Sequence, residues 1–155
     1  MHSHSFKPGQ AQRGVAMVEF AIALPLLLLL LLAIAEFGRM LYHYNNLLQA
    51  NRDAVRYLAG EAWNGNLGQV VIDPVVEART KNLAVYGVPV PQSGSEVVPG
   101  LTTANVTVGA VGSEHVRVST SYQFQPVIGN SLPALIGNAI PLNVQLVATT
   151  VMRGL

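Results

Sequence analysis

The chain has 155 residues, half of them hydrophobic and only 11% charged, with a mean hydropathy of +0.38. That composition is too apolar for a disordered polymer and suits one modest domain plus a membrane segment. A formal net charge of +1 with no run of Lys or Arg excludes a strongly basic phosphate binder, so nucleic acid is not an expected partner. The absence of cysteine excludes disulfides, thiolate metal sites and cysteine nucleophiles together.

Residues 1–14 are polar and contain Lys7 and Arg13 with no acid, whereas Val15 to Ala35 is apolar for 21 residues, interrupted only by Glu19. At 1.5 Å per residue that length crosses a hydrocarbon core of roughly 30 Å. The unbroken leucines from Leu26 to Leu32 reinforce the reading of a membrane span. A basic leader before the span places the N-terminus in the cytoplasm and everything beyond about residue 36 outside, with Arg39 only slightly opposing that bias. Glu19 lies about one turn inside the span. Its charge there costs something toward the roughly 2.5–3.5 kcal/mol of a charge at a helix centre, and it calls for either the head groups or a cation as partner.

A secretory signal peptide is the competing account. It shares the basic start, and Ala33-Ile34-Ala35 offers a cleavage pattern that would release a soluble domain beginning at Glu36. Against it, the apolar run exceeds the usual 7–15 residues of such signals and begins with a carboxylate. The helical periodicity also continues past Ala35 through Phe37, Leu41, Tyr44, Leu48, Val55 and Leu58, so a cut there would split one helix. The helix is expected over Val15–Ala59 with Gly60 as its stop. The apolar stripe should face the folded part, with Arg39, His43, Asn46 and Asp53 opposite. Pro25 removes one backbone bond within the span.

Trp63, the only tryptophan, follows the helix and is read as a packing residue. Asp73-Pro74 supplies an acidic N-cap and a first-turn proline, and Gly87 a stop, for a short helix over 74–86. Prolines 89, 91 and 99 with Gly94 mark a loop over 88–100. Ala104–Ala110, Glu114–Phe124 and Leu142–Met152 alternate in period two and are rich in Val, Thr or Tyr; they predict three antiparallel strands, the first turn being Val111-Gly112-Ser113. Gln125–Pro141, with three prolines and two glycines, reads as a loop of about seventeen residues. The fold class is therefore α+β: a long N-terminal transmembrane helix continuing into a small domain with a short helix and an antiparallel sheet of about three strands. The divisions are a leader over 1–14, a transmembrane part over 15–36, an extracytoplasmic helix over 37–60 and an outer α+β domain over 61–155.

Arg13-Gly14-Val15-Ala16-Met17-Val18-Glu19-Phe20, followed by the leucine run with Pro25, resembles a class III signal of the type IV pilin superfamily. More narrowly, Arg13 to about Ala59 resembles the TadE-like pseudopilins of the tight adherence (Flp) pilus system. A softer likeness covers Val116–Pro126 and Leu142–Arg153. The resemblance implies that a prepilin peptidase cuts after Gly14 and leaves Val15 as the new N-terminus, although Val15 is bulkier than the small residue expected there. Glu19 and Phe20 then become the fifth and sixth mature residues, and Glu19 would pair with the Val15 amine of a neighbouring subunit. That amine is mostly charged at neutral pH. The implied partners are membrane lipid, the prepilin peptidase, other TadE- and TadF-like pseudopilins, the Flp pilin and the inner-membrane assembly platform. The implied role is that of a minor pseudopilin in the inner membrane, its C-terminal domain periplasmic.

No catalytic constellation accompanies this. His2, His4, His43 and His115 form no metal-ligand spacing, and Asp53 with Arg52 and Arg56 reads as ordinary helix-surface pairing. No nucleophile elbow, phosphate loop or dinucleotide fingerprint occurs. No cofactor and no enzyme activity are expected. An unprocessed single-pass anchor with a binding role is the remaining alternative.

Overall fold

The computed structural model describes residues 9–127, 129, 131–132, 138 and 140–155. His2, His4, Lys7 and the middle of the expected 125–141 loop lie outside the described residues. The chain divides into two compact units, one ending at Phe37 and the other running from Gly38 to Leu155. The fold is α+β, as the periodicities require.

Helix α1 runs Gly9–Glu61, beginning six residues before the expected Val15 and ending two after Ala59. Leu, Ala and Met lose little conformational freedom in a helix and dominate its first half. Pro25 lies within α1 without ending it. At the other end Ala62 N–H still donates to Leu58 C=O at 2.9 Å, so Gly60 does not stop the helix.

In the first unit almost every large apolar side chain from Val15 to Phe37 is solvent-exposed, whereas the acid Glu36 is buried, at 4% exposure. In the second unit the remainder of α1 carries the core. The buried positions are His43, Leu47, Ala50, Asn51, Ala54, Val55, Leu58 and Ala59, with Met40, Tyr44 and Leu48 packed at the margin. This corrects the expected stripe: Phe37 and Leu41 are 57% and 44% exposed, while His43, assigned to the solvent face, is buried. The physical reason is that small and hydrogen-bonded positions are buried too: Ala54, Ala59 and Asn51 lie buried beside Leu47, Val55 and Leu58, so a stripe drawn through large side chains alone catches Val55 and Leu58 and misses the rest.

After α1, β1 (Trp63–Asn64) and β2 (Gln69–Val70) form a small antiparallel ladder. Helix α2 (Pro74–Tyr86) has the caps its sequence announces. Asp73 Oδ1 accepts the Val75 N–H at 2.7 Å. Gly87, at φ 72°, donates its N–H to Leu83 C=O at 2.9 Å from the left-handed conformation that glycine adopts freely. The loop that follows ends in a 3-10 turn, Thr103–Asn105, where a strand start had been expected. Asn105 Oδ1 accepts from both the N–H (3.0 Å) and the hydroxyl (2.7 Å) of Thr102, and this local alternative to extended backbone delays the strand.

Strands β3 (Val106–Val111), β4 (His115–Gln123) and β7 (Gln145–Arg153) make the expected antiparallel sheet in the order β3-β4-β7. The register runs from Val111↔His115 to Val106↔Thr120, and from His115↔Arg153 to Gln123↔Gln145. Within the expected loop, β5 (Ser131–Leu132) and β6 (Ile140–Pro141) pair as a second short ladder. Period two puts Val116, Val118, Thr120 and Tyr122 of β4 on the inner face with Leu146 and Ala148 of β7. There they join the α1 residues, Ala84 and Val85 of α2, and Val98 and Leu101 in one core.

The far end of the sheet is tied by backbone bonds. Val70 N–H donates to Ser113 C=O (2.7 Å), Val71 N–H to Ala62 C=O (2.8 Å), Gly154 N–H to Glu114 C=O (2.7 Å) and Leu155 N–H to Ala59 C=O (3.0 Å). Gly154 sits where a Cβ would stand 2.8 Å from Trp63 Cε3. Trp63 is thus half-buried in packing, as expected.

Candidate functional site

The residues singled out from the sequence, Gly14, Val15, Glu19 and Phe20, all lie on the exposed first part of α1. With 3.6 residues per turn, positions 14, 15, 18, 19 and 22 share one face. Gly14, Val15, Val18, Glu19 and Ile22 accordingly line one shallow groove along the helix. Four residues of rise separate Val15 from Glu19 by about 6 Å along the axis. Phe20, about 100° further round, is 60% exposed and does not line the groove.

A carboxylate on a helix face otherwise made of Val, Ile and glycine is the chemical peculiarity of this region. The surrounding helix is apolar enough to cross a membrane, and none of its most apolar window is buried within the chain. Val15, Met17, Val18, Phe20, Ile22 and Leu31 are all at least 60% exposed. Water does not stabilise such a surface; lipid or other apolar helices do.

Residues 14–56 match the family model of TadE-like proteins. In this segment the chain is similar to TadE-like proteins. The match begins at Gly14, takes in Val15, Glu19, Phe20 and the apolar run, and stops at Arg56. The strands carrying the softer likeness lie outside it. No curated protein and no solved structure matches the chain. The TadE-like match supports involvement in the Tad pilus system, and the long apolar N-terminal helix fits a single-pass membrane anchor in such a system.

The second unit, from Gly38 on, holds two polar groupings that sequence reasoning missed. Asn51, fully buried, donates through Nδ2 to Ala148 C=O at 2.5 Å and accepts the Thr120 hydroxyl on Oδ1 at 2.6 Å, so one side chain joins α1 to both long strands. Its signal was available: Asn51 stands one turn from Leu47 and one from Val55, inside the apolar stripe, where an amide must find buried partners. Nearer the span, His43 packs edge-on against Phe124 (5.6 Å between ring centroids) and Tyr122 (6.0 Å). The Arg39 guanidinium lies 4.8 Å over the Phe124 ring and donates to Gln125 C=O.

The Tyr122 hydroxyl donates to Pro99 C=O at 3.0 Å. Burial pushes its phenol above the usual tyrosine range, opposed by the charge of Arg39. These groups are spent on one another and on backbone, which makes them joints of the domain. Among the described residues no group of three or more His, Cys, Asp or Glu stands ready for a metal ion.

Proposed function

We propose that this protein is a minor pseudopilin that takes part in assembling an Flp (tight adherence) pilus. Prepilin peptidase removes residues 1–14 by cutting after Gly14, and Val15 becomes the N-terminus. Residues 15–36 hold the subunit in the bacterial inner membrane, N-terminus cytoplasmic, while 37–60 and the domain over 61–155 stand in the periplasm. The protein works without enzymatic chemistry and without a cofactor. Its partners are lipid, the peptidase, other TadE- and TadF-like pseudopilins, the Flp pilin and the inner-membrane platform.

The observation that carries this reading is the exposed apolar helix with one acid four residues beyond the junction, in the segment that matches the family. Cleavage creates an α-amino group, mostly charged at neutral pH, at the edge of low dielectric. Glu19 supplies the opposite charge on the same face. Two charges that are each costly in lipid offset one another when paired, and the pairing is strong only where water is excluded. A neighbouring subunit's Val15 amine gives Glu19 that partner across a helix contact, which links neutralisation to assembly. Phe20 packs beside it against lipid or a neighbouring helix.

The test is Glu19→Ala in cells that make pili. Pilus assembly should fall at least tenfold while the variant still fractionates with the inner membrane and is still shortened by the peptidase. Normal pili from that variant would overturn the pairing role.

A further inference from the structure

Helix α1 starts at Gly9 and runs without a break through the Gly14–Val15 peptide bond. In α-helical geometry the Gly14 carbonyl accepts the Val18 N–H, and the Val15 N–H donates to the Ala11 carbonyl. The bond to be cut is thus engaged on both sides. Hydrolysis adds water across this amide, leaving a carboxylate on Gly14 and an ammonium on Val15. Water and the groups that activate it must reach the carbonyl carbon along a defined line, which a closed helical turn obstructs.

Gly14 itself is not required by the fold. A Cβ built on it meets nothing within 4 Å, and its φ is not in the left-handed region. What glycine does there is weaken the helix, since it loses more conformational freedom on ordering than alanine does. Opening the described helix from Gly9 through the junction disturbs less than two turns.

We infer that Gly14 acts as a helix-opening residue: the peptidase takes the chain in a locally unwound state over about residues 9–16, and the population of that state sets the cleavage rate. This rests on the cleavage site proposed above and adds what regulates it. Gly14→Ala should slow cleavage about fivefold, the population change that one Gly-to-Ala replacement brings to a helical residue. Ala16 is exposed on the other side of the bond, and Ala16→Gly should speed cleavage by a similar factor. The double variant should return to near the wild-type rate. Gly38→Ala, also in open space but 24 positions along the same helix, should change nothing.

The experiment incubates the full-length chain and these variants with prepilin peptidase in detergent micelles and follows intact mass over time. A double variant as slow as Gly14→Ala alone would overturn the inference, because a size filter at the cut cannot be relieved two residues away. An unaffected Ala16→Gly rate, or a Gly38→Ala slowed as much as Gly14→Ala, would also overturn it. Wild-type chain left uncut, or cut at another bond, fails the proposed function instead.

Discussion

The two ends of α1 obey one periodicity and reach opposite outcomes. Before Phe37 leucines are plentiful and exposed: Leu26, Leu27, Leu28, Leu30 and Leu31 keep between 49% and 63% of their surface. After Gly38 the buried face mixes Leu47, Val55 and Leu58 with alanines, carries Asn51 and His43 among them, and joins the sheet in one core. Hydrophobicity alone therefore does not mark the core in this molecule. Among the described residues the most apolar stretch is left exposed, while the less apolar stretch is packed and tied by specific hydrogen bonds. A surface that apolar and unpartnered is built for lipid and other helices, and a surface that small and specific is built to fix one domain.

That contrast breaks first at matched leucines. Leu58→Ala, fully buried, should cost the outer domain about 3 kcal/mol, whereas Leu28→Ala, 49% exposed, should stay within about 0.5 kcal/mol. Urea unfolding of the full chain in detergent, read by Trp63 fluorescence, measures both. Equal losses would erase the distinction. Asn51→Ala comes next, at about 2 kcal/mol, because it removes two buried bonds and strands the Thr120 hydroxyl. The same unfolding measurement applies, and membrane fractionation should not change. Gly154→Ala should cost about 1 kcal/mol, since its methyl must displace the Trp63 ring.

The smallest effect is one of pH. Burial raises the Tyr122 phenol above the ordinary tyrosine value in the folded chain, so the unfolded chain loses this proton first as pH rises. Its contribution to stability is complete below pH 10.0 and is lost as pH climbs through the folded value. Tyr122→Phe should flatten that alkaline decline in thermal unfolding between pH 9 and 11, a window chosen to bracket an ordinary tyrosine at about 10.

Local signals were legible where local chemistry decides. Asp73, Pro74 and Gly87 place α2 to the residue, since caps depend on nearest neighbours. Alternation of Val and Thr placed all three long strands within a few residues. The rotation of α1 was not legible from its large side chains, because burial there follows the fit to a sheet more than fifty residues away, through Ala54 and Asn51 rather than Phe37 and Leu41. The two-residue ladders β1–β2 and β5–β6 leave almost no pattern in so short a stretch. At the candidate site the sequence set Glu19 about one turn inside the span, whereas the groove it shares with Gly14, Val15, Val18 and Ile22 and the helix running upstream through the junction to Gly9 were not anticipated.

In the proposed function a cut finishes this helix surface for its partners. Intact mass of the protein purified from inner membranes of a cell with an active prepilin peptidase tests it most directly. The expected result is a chain that begins at Val15 and reverts to the unshortened mass when the peptidase is inactivated. A chain beginning at Glu36, or one that keeps Met1 to Gly14 in cells assembling normal pili, would contradict it.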